Sequence, residues 1–285
     1  MSGQVTDPSR EMAGLIDLLR KLSAEPEGPS RTAPKCWKVM SEGLGVAVNS
    51  AEYLELLAAV RDRLGRLDHF VTTQTHGIEH DIVQLVRQAI RRFSEVFSPA
   101  HQNHEWQHAL STWVTEADAT TFRVFSRTMA DFAPLKRLSE DERQDALAAV
   151  RNALADIDGS DELTFWDREA LAQGYRRLEL VLQHFEFFGH ERLTREIVVA
   201  QTVTHQVQER IGVTSGALRT AWNALAIATI LVEVFAAPST VYHSLGDYHM
   251  LRVPEPSISS GLLPAPQPPA APADKHSALP RITKT

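Results

Sequence analysis

The chain has a single cysteine, Cys36. That excludes an intramolecular disulfide. It also excludes zinc sites built within one chain on four cysteines, or on two cysteines and two histidines. So low a cysteine content fits a reducing compartment, which predicts a cytoplasmic protein. A surplus of positive charge is missing as well. Lys+Arg number 29 against 36 Asp+Glu, a formal net charge of −7. A phosphate-coating surface has to be basic, so DNA is not expected as a partner. There is no G-x-x-x-x-G-K loop, no G-x-G-x-x-G turn and no G-x-S-x-G elbow. The usual signatures of nucleotide-cradling loops and of serine hydrolases are therefore lacking. The opening MSGQVTDPSREM has no basic stretch followed by an apolar one, which predicts no signal peptide.

Long apolar runs are scarce. ALAIATILVEVFAA at 224–237 is apolar nearly all round, the pattern of a helix central in a bundle or inside a membrane. It falls short of the roughly 20 residues that a span needs. Glu233 within it also costs about 2.5–3.5 kcal/mol near a bilayer centre. Strand signals are rarer still: VYHSLGDYHMLRV at 241–253, turning at Gly246-Asp247, is the one plausible pair.

What the chain does have is helical periodicity. Asp7-Pro8 is a helix start, with Asp as the cap and Pro where a missing N–H costs nothing. Leu15, Leu18, Leu19 and Leu22 form the face that follows. The Pro/Gly-rich EPEGPSRTAP at 25–34 reads as a linker, and a short helix is expected from Lys35 to about Gly43. Tyr53, Leu57, Val60, Leu64, Leu67 and Val71 then alternate steps of four and three, a sustained helical stripe. Ile78, Ile82, Leu85, Ala89, Phe93 and Val96 continue the rhythm. Ser98-Pro99 breaks it and starts another helix carrying Ala109, Leu110, Trp113 and Val114, followed by Phe122, Phe125, Met129 and Phe132. Ser139 with Glu142 makes a capping box for a helix reaching Ile157. Leu171 to Phe185, ended by Gly189, and Leu193 to Ile211, ended by Gly212, form two further stripes. The last helix covers roughly 215–237.

The fold expected is all-α: a bundle of about eight helices over 49–253, preceded by a helical arm and linker over 1–48. Residues 254–285, with LLPAPQPPAAPADK inside them, cannot fill a core and are expected to be a disordered Pro/Ala-rich tail.

The chain holds 12 histidines, and two groups of them have metal-ligand spacing. His76-Gly77-Ile78-Glu79-His80 reads H-x-x-E-H. His104-Glu105-Trp106-Gln107-His108 reads H-E-x-x-H. On a helix, residues four apart share a face, close enough for two imidazoles to hold one zinc ion while the neighbouring glutamate polarises the metal-bound water. The second pattern resembles the zincin metallopeptidase signature over about ten residues. That resemblance implies His104 and His108 as ligands, Glu105 as general base and zinc as cofactor. It supplies no third ligand. The metzincin continuation is absent, and Glu116 lies about 12 Å further along a continuous helix. Glu169 and Glu179 are the remaining acidic candidates. The competing reading is an amphipathic surface helix, polar at His101, Gln102, His104, Gln107 and His108 and apolar at Trp106, Ala109, Leu110 and Trp113. Arg63…His69 and Arg177…His184 match the Arg–His spacing of the all-helical HEPN ribonucleases, a pattern common by chance. Arg87, Arg91 and Arg92 form a basic run of the kind that usually faces solvent.

Three functions remain in play. The first is a non-enzymatic helical interaction or adaptor protein that meets another protein through helix faces or the C-terminal tail. The second is a zinc-dependent hydrolase using His104, Glu105 and His108. The third is a membrane-associated protein acting through 221–237.

Overall fold

The two caps expected from the sequence open their helices. α1 (Pro8–Lys21) opens on Asp7, whose carboxylate accepts from the amides of Ser9 and Arg10. α7 (Glu140–Asp158) opens on Ser139, which forms the expected capping box with Glu142, and it ends at Gly159. Between them lie α2 (Cys36–Leu44), α3 (Ala51–Thr73), α4 (His80–Glu95), α5 (Trp106–Thr112) and α6 (Glu116–Met129). α8 (Phe165–Gln183), α9 (Phe185–Ile211) and α10 (Gly216–Leu231) complete the bundle. These elements come from a computed structural model that describes residues 5–22, 33–73, 78–129, 135–136, 138–211 and 215–232. Among the described residues there are ten α-helices. The all-α architecture expected from the periodicity is the one observed. One antiparallel pair of two-residue strands accompanies the helices: β1 (Val5–Thr6) on β2 (Leu135–Lys136), a contact that no alternation in the sequence announces.

Two groups of helices share one partner. α1 packs on α6, α4 on α3 and α6, while α7 packs on both α8 and α10. α9 touches α1, α3, α8 and α10 and so joins the groups. The arm expected over 1–48 belongs to this same body: Met12, Leu15, Ile16 and Leu19 of α1 and Val39 and Met40 of α2 are buried in the common core. Burying those side chains, at roughly 1.5–3 kcal/mol each, is what holds the segment against the bundle.

The α3 stripe is buried as expected at Tyr53, Leu57, Val60, Leu64, Leu67 and Val71. On α4 the expected stripe is buried at Ala89 and Phe93, continues into the buried Val96, and departs at Leu85. Val83, Val86, Ala89, Ile90 and Phe93 form the buried face, and Leu85 is 55% exposed. Leu85 lies about a quarter-turn from the middle of that face, so it meets water while its neighbour Val86 takes the core position. α10 ends at Leu231. Among the described residues no helix is long and apolar enough to cross a membrane. Residues 233–237 of the expected membrane segment, the hairpin expected at 241–253 and the tail at 254–285 lie outside the described residues.

Candidate functional site

The H-E-x-x-H stretch does not lie on one helix. α5 starts at Trp106, Glu105 is its cap with extended backbone (φ −67°, ψ 138°), and His104 precedes it. The reason is in the backbone hydrogen bonds. α2 has Lys35 at its cap position, which gives no side-chain capping bond. Its first amides are satisfied from outside: Cys36 N–H donates to the His104 carbonyl (2.9 Å) and Trp37 N–H to the Gln102 carbonyl (3.1 Å). In return Trp106 N–H, the first of α5, donates to the Pro34 carbonyl (2.9 Å), and Lys35 and Glu105 pair as a β-bridge. The two helix N-termini thus meet head to head, each taking up free donors of the other's segment. A helix running on from Pro99 through His104 would turn those carbonyls away, so only a 3₁₀ turn forms over Pro99–His101. Gln102 locks the seam, its side-chain amide donating to the Val96 carbonyl (2.6 Å) and its oxygen accepting from Tyr53. Trp106 donates from its indole to the Leu22 carbonyl (3.2 Å). Cys36 sits here too; burial pushes its thiol up to about 11, away from nucleophile chemistry.

The imidazoles of the motif still meet. The His104 and His108 rings lie 5.6 Å apart, His101 is 5.3 Å from His104, and all three contact Trp113 at 4.6–5.3 Å. His101 Nδ1 is engaged with Glu95. Among the described residues no three His, Cys, Asp or Glu side chains are gathered so as to hold a metal ion. Glu169 and Glu179 are paired with Arg176 and Arg151. His80 is exposed, and His76 lies outside the described residues. The Arg–His spacings fare similarly: Arg177 pairs with Glu55 and Glu196 whereas His184 faces Glu52, and His69 is exposed while Arg63 is buried with other partners. Arg87 and Arg92 of the basic run pair with Asp68 and Asp118.

A different constellation is assembled by packing. At Gly189 the backbone leaves the helix (φ 70°, ψ 178°) and kinks α9. Next to this interruption the carbonyls of Glu186 and Phe187 accept from Arg63 Nη1 at 2.7 and 2.9 Å. Arg63 Nη2 pairs with Glu11 of α1, and the same carboxylate holds His190 Nδ1. Arg63 and His190 are 9% and 5% exposed. Burial opposes the charge on Glu11, but the adjacent His190 and Arg63 together outweigh it and keep the carboxyl below the usual glutamate range. His190 Nε2 is buried and has no hydrogen-bond partner. The trio lines a cavity of about 640 Å³ between α1, α6 and the α8–α9 junction, with Arg10, Arg123, Ser126 and Arg127 also on its wall. The sequence pairs Arg63 with His69 and does not display this grouping, because Glu11 lies 52 positions from Arg63 and 179 from His190. One signal was available: Arg63 sits between Val60 and Leu64 on the buried face of α3, and a buried arginine demands a carboxylate.

The surface carries one further anomaly. Phe165 and Trp166, adjacent at the start of α8, are 67% and 76% exposed, with rings edge-on at 5.3 Å. They are held firmly. Thr164 caps α8 through Asp167, the buried Asp167 also pairs with Arg210, Leu163 is buried, and Arg168 donates to the Ser160 carbonyl. Comparison with family models, with characterised proteins and with solved structures finds no match to this chain.

Proposed function

We propose that the protein is a non-enzymatic helical-bundle interaction protein, and that Phe165 and Trp166 anchor its partner. The observation that carries this reading is the exposure of two adjacent aromatic rings on a segment pinned by a cap and by the buried Asp167 carboxylate, which Arg210 meets from the surface. Large aromatic side chains on a pre-organised scaffold lose little entropy on binding and dominate the energetics of interfaces. The surroundings state the partner's chemistry. Asp161 and Glu162 are exposed beside the pair, and neither has an ion-pair partner among the described residues. A protein surface that fits offers an apolar cleft with a basic rim, where a Lys or Arg can also lie over the Trp166 ring.

The test uses the full chain as bait, beside Phe165→Ala/Trp166→Ala and Leu85→Ala variants. A partner bound by the wild type and by Leu85→Ala, but weakened about 30-fold or more by the double variant, supports the reading, since anchors of this kind contribute about 2 kcal/mol or more. Identical binding by all three chains overturns it. Sedimentation of the bait alone separates a foreign partner from a second copy, because self-association through the same pair is not an adaptor role.

The hydrolase alternative keeps His104 and His108 adjacent, but no observation adds a third ligand to them. The membrane alternative likewise gains no support from α10, which exposes Ile227 and Ile230 while burying its other face in the bundle.

A further inference from the structure

We propose that the cavity beside the Glu11–His190 pair is a binding site for a small organic oxyanion, a molecule bearing a carboxylate or phosphate group. This goes beyond the interaction reading and uses none of its residues. Four arginines line the cavity, at positions 10, 63, 123 and 127. Two are committed to the protein itself: Arg63 to Glu11 and the kink carbonyls, and Arg123 to Asp17 and Glu116. Arg10 of α1 and Arg127 of α6 are exposed and have no ion-pair partner among the described residues. Two uncommitted guanidiniums on facing helices of one cavity match an oxyanion, which their planar forks can grip bidentately.

The second observation is His190. It is 5% exposed, it lines the cavity, and its Nε2 is the ring nitrogen without a partner. Glu11 on Nδ1 holds the ring in place, as a carboxylate does for a working imidazole. Orphaned buried polar atoms are uncommon in folded proteins, and a ligand group is one way to satisfy them. The cavity volume of about 640 Å³ is within the range of metabolite-sized pockets. Gly14, on the cavity wall, has nothing within 4 Å of where a Cβ would stand, so the space in front of α1 is open.

Calorimetric titration of the full chain with inorganic phosphate, and separately with malonate, tests the site at matched ionic strength against chloride. The result expected is saturable one-to-one binding of at least one probe, and which probe binds more tightly assigns the ligand as phosphate or carboxylate. Arg10→Gln/Arg127→Gln weakens that binding about 10-fold or more, because charge-assisted contacts are lost. Gly14→Leu blocks it sterically, with the melting temperature of the free protein kept or raised. The His190 ring resonances shift on saturation. Absence of saturable binding by either probe overturns the proposal. So does binding that both variants leave intact. The Phe165→Ala/Trp166→Ala chain binds the probe like wild type, which keeps this test separate from that of the interaction reading.

Discussion

Gly189→Ala puts the kink in α9 to the test. At φ 70° and ψ 178° the backbone is in a region essentially reserved for glycine, where another residue costs about 1–3 kcal/mol. Space is the second difficulty. A Cβ on Gly189 would stand 2.5 Å from the Cζ and Nη2 of Arg63 and 2.7 Å from its Nε, against about 3.5–4.0 Å for a comfortable contact. The guanidinium has little room to retreat, because Nη1 is tied to two carbonyls and Nη2 to the Glu11 carboxylate. If Arg63 is displaced, Glu11 is left in the core without its guanidinium partner. Breaking a buried pair in this way costs about 3–5 kcal/mol. The two contributions reach about 4–8 kcal/mol, comparable with the whole stability of a typical domain. For a chain of this size the melting temperature should fall by about 8 °C or more. Thermal and urea melts followed by far-UV circular dichroism measure it. Gly65→Ala on α3 is the control: its Cβ would meet nothing within 4 Å, and removing a helix-interior glycine should stabilise by about 0.5–1 kcal/mol. In the Arg63→Ala background, Gly189→Ala should cost only its backbone share. A Gly189→Ala melt matching that of wild type, or strict additivity with Arg63→Ala, refutes the reasoning.

Glu11→Gln should lose stability in a pH-dependent way. Because the folded carboxyl is held below its ordinary value, the folded state binds that proton less readily than the unfolded one. The stabilisation is therefore complete above the ordinary glutamate value of about 4.3 and is lost as pH falls through the lower folded value. Urea melts of wild type and Glu11→Gln should accordingly converge as pH drops below about 4, and a constant gap between them would sink the assignment. For the histidine cluster, elemental analysis of protein purified without added metal should find substoichiometric zinc, since His104 and His108 lack a third ligand among the described residues. One zinc per chain, lost in His104→Ala/His108→Ala, would restore the hydrolase reading.

Much of the helical framework is legible along the chain, because caps and apolar spacing act between neighbours. Asp7-Pro8, the Ser139–Glu142 box and the stripe from Tyr53 to Val71 each specify local structure through contacts within a few residues. The stretch HQNHEWQHAL shows where that logic stops. Its spacing is that of two ligands on a helix, yet the amides of Cys36 and Trp37 draw the carbonyls of His104 and Gln102 out of any helix. Local pattern contains no information about which distant donor needs an acceptor. The same holds for Leu85 of α4, which the apolar spacing places on the core side but packing leaves in water while Val86 is buried.

The sequence by itself determined an all-helical chain, its main helix starts, its acidic balance and the lack of a disulfide or four-cysteine zinc site. Only the tertiary structure decided that α1 joins the core and that the histidine motif is a seam between α2 and α5. It also decided that Glu11, Arg63 and His190 share one cavity and that Phe165 and Trp166 stay in water. Helix formation depends on neighbours three and four positions away, which the sequence displays directly. A buried ion pair or a kink that only glycine permits depends on groups far apart along the chain, which packing alone brings together.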